Sequence, residues 1–141
     1  MIEKSSRFLL DAERNMDEGF IDIGAFSANQ SLEIYLKALL LKESGDYPHI
    51  HDLKNLLRNL ADLSNEDVKK KIELLVKEKS LVLSLLQDAY LTSRYFSTSY
   101  SSDELNEMIS VVKHIKEIIL NVSHQYKIEK RCIQQSALLF S

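Results

Sequence analysis

Hydrophobic residues recur every three or four positions through most of this 141-residue chain. That spacing is typical of α-helices that bury one face. The pattern predicts four long helices, over residues 2–18, 23–44, 80–94 and 103–123. The second of them is apolar nearly all round, so we expect it at the centre of a helical bundle.

Polar residues mark where the other helices should begin. An acid favours the positive end of a helix, so a short helix should begin at His51 and Asp52. Residues 64–67 form another helix start and predict a linker helix whose apolar positions are separated by lysine-rich gaps. Ser101 and Glu104 form a capping box that should begin the last helix. The Ser, Thr and Tyr residues of 97–102 predict a loop before it.

Glycine and proline are scarce, with three and one in the whole chain. These numbers are too small for the many turns of an all-β or α/β fold. We therefore expect an all-α fold, an up-and-down bundle of four or five helices in one domain over residues 1–125. Residues 126–141 should form a helical extension or a loosely held tail.

Charge and cysteine content narrow the classes of function. The chain has 18 basic and 21 acidic residues, a net charge of −3, so any contact with nucleic acid would have to be local. Cys132 is the single cysteine, and the chain does not begin like a signal peptide. Charges interrupt the apolar segments before the ~20 residues that a membrane span needs. We expect a cytoplasmic protein that does not enter a membrane.

A row of polar side chains interrupts the apolar second helix. At 100° per residue, Gln30, Glu33 and Lys37 lie within about 60° of one another. Burying an amide, a carboxylate and an ammonium costs several kcal/mol unless they pair, so they need partners in the core, in a subunit interface or on a ligand. Alternatively, Glu33 and Lys37 form an ordinary ion pair one helical turn apart.

The sequence motifs of familiar nucleotide enzymes are missing. The chain has no glycine-rich phosphate loop, no Walker lysine motif and no G-x-S-x-G turn. His49, His51 and Asp52 make only a weak set of metal ligands, so no metal is expected. We expect His51 instead to help cap the third helix or to form a hydrogen bond at one end of the bundle.

Arg94 ends a leucine-rich helix and has four aromatic neighbours in sequence: Tyr90, Tyr95, Phe96 and Tyr100. A guanidinium binds phosphate through its fork geometry while aromatic rings stack on a base, which is the local chemistry of a nucleotide site. Alternatively, Arg94 extends across the bundle and pairs with Glu33 or Asp52.

Three motifs, in this order, resemble the HEPN domain family (higher eukaryotes and prokaryotes nucleotide-binding). The first is Q-x-x-E-x-x-x-K-A, matched by Gln30, Glu33, Lys37 and Ala38. The second is His-Asp-Leu after a short loop, matched by His51, Asp52 and Leu53. The third is Tyr-x-x-x-Arg-Tyr, matched by Tyr90, Arg94 and Tyr95. The resemblance spans residues 2–122.

The resemblance implies a bundle of four or five helices that forms homodimers. It also implies a gene commonly found beside a minimal nucleotidyltransferase, as a toxin–antitoxin-like pair. Many members are metal-independent ribonucleases marked by an Arg that is followed four to six residues later by a His. Here Tyr100 stands where the latest His could be. A tyrosine with a pKa of ~10 is protonated at neutral pH and serves poorly in acid–base cleavage of RNA.

We therefore expect a non-catalytic dimeric module that binds a nucleotide or RNA, or docks a minimal nucleotidyltransferase, with no cofactor beyond such a nucleotide. A metal-independent ribonuclease, in which His51 or His114 replaces the missing His, is the first alternative. A structural adaptor is the second. The expected ligand-binding residues are Gln30, Glu33, Lys37, His51, Asp52, Tyr90, Arg94 and Tyr95.

Overall fold

A computed structural model describes residues 1–95 and 100–139, with side chains over 1–92 and 100–120. Within these ranges the chain forms six helices and no strand: α1 (Ile2–Asp17), α2 (Ile21–Ser44), α3 (Leu53–Asp62), α4 (Glu66–Glu78), α5 (Ser80–Tyr95) and α6 (Ser102–Leu139). The all-α fold class is confirmed, and the described helices number six where four or five were expected. Residues 96–99, which include part of the predicted loop, lie outside the described residues.

Side-chain caps fix the starts of α3 and α4. Asp52 Oδ1 accepts a hydrogen bond from the Asn55 N–H at 3.1 Å, which leaves the helix to begin at Leu53. Asn65 caps α4 in the same way. The cap of α3 is therefore Asp52, and the expectation that His51 helps to cap this helix was wrong.

The last helix begins where the capping box predicted. Ser101 Oγ accepts from the Glu104 N–H at 3.1 Å, and Glu104 Oε1 accepts from the Ser101 N–H at 3.0 Å. The helix then runs past residue 123 to Leu139, which agrees with the expectation of a helical extension and not with that of a loosely held tail. A division of the chain at residue 125 stays a prediction. No helix in the described part of the chain is both long and apolar enough to cross a membrane.

The central position predicted for the second helix is confirmed. α2 packs on α1, α3, α5 and α6, and its Leu32 and Leu36 are fully buried. Close approach is possible at Gly24, where a Cβ would lie 2.7 Å from Leu105 Cδ2 and 3.3 Å from the Ala12 carbonyl oxygen. A glycine therefore lets α1 and α6 pack closely against the start of α2.

The fourth helix belongs to the core, and the expectation of a linker helix was wrong. Val68, Ile72 and Leu75 of α4 are buried. α4 packs on α3 and α5, so its apolar face is covered by neighbours while its lysines remain mostly exposed. α4 thus packs with α3 as part of the hydrophobic core of the bundle.

A polar cluster lies where α1, α2 and α6 meet. Ser31 Oγ donates to the Ser5 carbonyl oxygen at 2.8 Å and accepts from Lys116 Nζ at 2.8 Å. The Lys116 ammonium also lies 5.3 Å from the centre of the Tyr35 ring. Among the described side chains, no carboxylate forms an ion pair with Lys116. Burial lowers the pKa of Lys116 from 10.5 to about 8, because the charged form loses water.

Replacing Lys116 by methionine should remove a pH dependence of stability. Between about pH 8 and pH 10.5 the unfolded chain binds more protons at this group than the folded chain, so the free energy of unfolding should rise with pH. Below about pH 8 the folded wild type carries the full desolvation cost, so the Lys116→Met variant should be at least as stable at neutral pH. Urea unfolding of both proteins between about pH 7 and pH 10.5 measures the difference between their free energies of unfolding. If this difference does not change as the pH rises, the prediction is wrong.

Candidate functional site

A buried carboxylate of α2 holds a histidine of the loop before α3. Glu33 is only 3% exposed, and its Oε1 lies 2.7 Å from His51 Nδ1. A carboxylate accepts hydrogen bonds, so Nδ1 donates its proton to Glu33. The other ring nitrogen, Nε2, is then left to accept a hydrogen bond or a proton. The expected hydrogen bond of His51 is therefore present, and its acceptor is Glu33.

An aromatic stack flanks this pair. The Tyr90 ring of α5 lies 4.3 Å from the His51 ring, centre to centre, at an interplanar angle of 18°. The Tyr90 oxygen is 3.4 Å from His51 Nε2. Phe26 of α2 stacks on Tyr90 at 6.2 Å. We call Glu33, His51 and Tyr90 the His51 site.

The remaining polar residues of α2 gather around the same carboxylate. Gln30 Nε2 donates to Glu33 Oε2 at 3.3 Å and to Asn29 Oδ1 at 3.0 Å. Lys37 Nζ lies 3.9 Å from Glu33 Oε1 and 5.8 Å from the centre of the Tyr47 ring. The polar row thus finds partners within the fold, and the shortest of these contacts to Glu33 comes from His51. Gln30 and Lys37 surround the acid that orients the histidine.

Two amides that sequence reasoning missed position the helices around the site. Asn29 is fully buried and its Nδ2 donates to the Leu86 carbonyl oxygen at 2.7 Å, which ties α2 to α5. Gln87 Oε1 accepts from the Leu53 N–H at 2.7 Å, which ties α5 to the start of α3. An asparagine inside an apolar helix, next to Gln30, was the available signal for Asn29. Nothing local distinguishes Gln87.

Asp52 forms hydrogen bonds within the helix that it caps, α3. Its two carboxylate oxygens accept from the N–H and the side-chain amide of Asn55, at 3.1 and 3.4 Å. A ligand contact by Asp52 stays a prediction.

Arg94 and Tyr95 belong to the last turn of α5, and their side chains lie outside the described residues. Position 94 is one helical turn beyond Tyr90, so the backbone places both positions on one face of α5. Both the phosphate role of Arg94 and its alternative pairing with Glu33 or Asp52 therefore stay predictions.

The missing catalytic histidine has two possible replacements, His51 and His114, while Tyr100 stands at its position in the motif. His114 is exposed on α6, and no contact within the described residues joins it to the His51 site. Tyr100 OH lies 2.8 Å from Thr92 Oγ1, and burial is the main reason that the pKa of Tyr100 is raised above 10. Tyr100 therefore stays protonated at neutral pH, while His51 is the imidazole with an acidic partner.

Metal-ligating side chains do not converge in the described part of the chain. Among those residues no group of three or more His, Cys, Asp or Glu side chains is arranged to hold an ion.

Comparison with known proteins adds one finding. Residues 1–122 match the family model described as "HEPN domain". No curated protein and no solved structure gives a significant match.

Proposed function

The chain belongs to the HEPN domain family, whose members are nucleotide-binding or RNase-type modules, and on that premise we propose that it binds a nucleotide at the His51 site without cleaving RNA. The observation that carries the proposal is the Glu33–His51 pair stacked on Tyr90. Aromatic and imidazole rings stack on bases, and cationic side chains bind phosphate. Arg94 would supply that cation from the next turn of α5.

Calorimetric titration of the four ribonucleoside triphosphates and monophosphates into the purified protein tests the proposal. Binding of at least one nucleotide at the concentrations found in cells supports it. If none binds, even with nucleotide in millimolar excess, the proposed function is wrong and the polar row has only a structural role. The chain would then be better described as an adaptor.

RNA cleavage is the second candidate function, and the Glu33–His51 pair favours it. The acid orients the imidazole through Nδ1, which leaves Nε2 for proton transfer. We nevertheless expect purified protein to leave single-stranded RNA intact in the presence of EDTA, because a protonated tyrosine follows Arg94 where the family motif has a histidine. Gel analysis of a labelled RNA measures this. Cleavage that both His51→Ala and Arg94→Ala abolish would reverse the order of the two functions.

We also propose that the protein is a homodimer. HEPN domains often dimerise. Leu81 and Leu91 of α5 and Ile23 of α2 are 78%, 56% and 55% exposed, which offers apolar surface to a second copy. Sedimentation should give a species of twice the 16.3 kDa chain mass at micromolar concentration. A species of 16.3 kDa under those conditions would contradict the dimer.

A minimal nucleotidyltransferase is the proposed partner, in a toxin–antitoxin-like pair. The support for it is the family resemblance of the three motifs. A nucleotide would then be a common ligand, bound at the His51 site by this protein and used by the nucleotidyltransferase. Co-expression with a nucleotidyltransferase encoded by a neighbouring gene, followed by size-exclusion chromatography, tests this association.

A further inference from the structure

A basic cleft lies between α3 and α4. Its volume is about 500 Å³, and Ser80 at the start of α5 contributes to its lining. The charged side chains that line it are Lys54, Arg58, Lys69, Lys77, Asp62 and Glu73. Four of these are basic and two acidic, so the cleft has a local charge of +2 in a chain whose net charge is −3.

Lys54 is held in this cleft by neutral partners. Its Nζ donates to Ser80 Oγ at 2.9 Å and to Ser84 Oγ at 3.0 Å. The Ser84 hydroxyl donates in turn to the Ser80 carbonyl oxygen, so its lone pairs face the ammonium. An ammonium has three N–H groups, which leaves one for a further acceptor. The two hydroxyls fix the position of the charge and leave it unneutralised.

Two other cations of the cleft also have no acidic partner among the described residues. Arg58 lies one turn beyond Lys54 on α3, and Lys77 faces the cleft from α4. Within the described residues neither forms an ion pair, whereas Lys69 pairs with Asp62 at 3.7 Å. A guanidinium and two ammoniums in one concave site are suited to the oxygens of phosphate groups.

The cleft and the His51 site lie along the same helix. Ser80 and Ser84 of α5 hold Lys54, Gln87 binds the Leu53 N–H, and Tyr90 stacks on His51. Ser80 and Tyr90 are ten residues apart, about 15 Å at a helical rise of 1.5 Å per residue. A stacked nucleic-acid strand advances about 3.4 Å per nucleotide, so about four nucleotides would cover this distance.

We propose that the α3–α4 cleft is a phosphodiester-binding site, which holds the backbone of a single-stranded polynucleotide whose end nucleotide occupies the His51 site. This inference rests on the proposed function and extends its ligand from a single nucleotide to a chain. The cleft contacts the backbone through charge, so it should not distinguish one base from another.

Fluorescence anisotropy with labelled oligonucleotides tests the cleft. The probe is a mixed-sequence octamer of 2′-O-methyl RNA, which resists cleavage, and a mononucleotide serves as the short ligand. In the cleft variant, Lys54, Arg58 and Lys77 are replaced by alanine. The control variant carries Lys4→Ala, Lys70→Ala and Lys71→Ala, which removes the same charge from exposed positions outside the cleft.

We expect the wild type to bind the octamer more tightly than the mononucleotide. The octamer affinity of the cleft variant should fall by roughly tenfold or more. The slope of its log affinity against log salt concentration should become shallower by about 2, and both changes should be much smaller in the control variant. Mononucleotide affinity should not change. Because Lys54→Ala removes two hydrogen bonds, a variant with only Arg58→Ala and Lys77→Ala, both exposed positions, keeps the test valid if the triple variant unfolds.

The outcomes separate the two proposals. If the mononucleotide binds but the octamer binds no more tightly, or the control variant loses as much as the cleft variant, the cleft proposal is wrong and the proposed function stands. If neither ligand binds, both are wrong. If the octamer binds through the cleft and no mononucleotide binds, the cleft stands and the proposed function is wrong. Equally tight binding of polyglutamate would overturn the assignment to a polynucleotide.

Discussion

Arg94→Ala should abolish the stabilisation that we expect a bound nucleotide to give to this protein. At a hundredfold excess over its Kd, a ligand that binds only the folded state stabilises it by about 2.7 kcal/mol, which thermal unfolding detects as a higher Tm. If the Arg94 guanidinium binds the phosphate, the variant should show no such rise. The stability of the unliganded protein should change little, because a charge kept for a ligand is not half of a buried pair.

The same experiment has a clear opposite result. If Arg94→Ala destabilises the unliganded protein by roughly 3–5 kcal/mol, and no nucleotide shifts the Tm of the wild type, Arg94 belongs to a buried ion pair. Arg7→Ala is the matched control, because Arg7 is exposed on α1 and pairs only with exposed Glu3 in the described part of the chain. This control should leave the nucleotide effect intact, since an exposed pair contributes little to stability.

His51→Ala should weaken nucleotide binding by roughly 10- to 100-fold, since it removes a stacking surface and a hydrogen-bonding group from the site. It should also lower the free energy of unfolding by about 1–3 kcal/mol, because Glu33 loses its closest partner while remaining buried. Calorimetric titration and urea unfolding measure the two effects separately.

His49→Ala is the control for His51, two residues away in the same loop. His49 is exposed, and its ring contacts Tyr47 at 5.2 Å between centres. Its replacement should leave nucleotide affinity unchanged and cost little stability. If the two alanine variants lose the same affinity, the Glu33–His51–Tyr90 arrangement is not the binding site.

Local signals account for the parts of the fold that the sequence predicts well. Asp52, Asn65 and Ser101 each accept a hydrogen bond from the N–H three residues ahead, so the starts of α3, α4 and α6 are visible in short stretches of sequence. The central position of α2 follows from its apolar surface on all sides. These features need no knowledge of distant residues.

The role of α4 and the extent of α6 were harder to predict. The lysines of α4 indicated a solvated linker, and whether Val68, Ile72 and Leu75 are covered depends on how α3 and α5 fold over them. The apolar spacing of α6 predicted a helix to residue 123 and left two possibilities for residues 126–141, a helical extension or a loosely held tail. The helix runs to Leu139, as the first possibility has it. The role of α4 depends on long-range packing and the length of α6 on helix propagation, and no local signal marks either of them.

At the candidate site, the sequence drew attention to Glu33, His51 and Tyr90 but did not predict how they are arranged. Glu33 was conspicuous as an acid inside an apolar helix, and the family motifs brought His51 and Tyr90 into consideration. His51 lies 18 positions after Glu33, so whether the two pair depends on the path of the chain between α2 and α3. Gln87, which binds the start of α3 from another helix, carries no local signal at all.

The burial of Glu33 lowers the stability of the fold, because a carboxylate loses its water there. Replacing buried ion pairs by apolar residues of similar volume is often neutral or stabilising, by up to about 4 kcal/mol. A laboratory selection for heat resistance alone would therefore favour variants that exchange Glu33 and its partners for apolar residues. Such variants would retain the helical bundle and lose the oriented histidine. If the His51 site binds a ligand as proposed, they would gain heat resistance and lose binding.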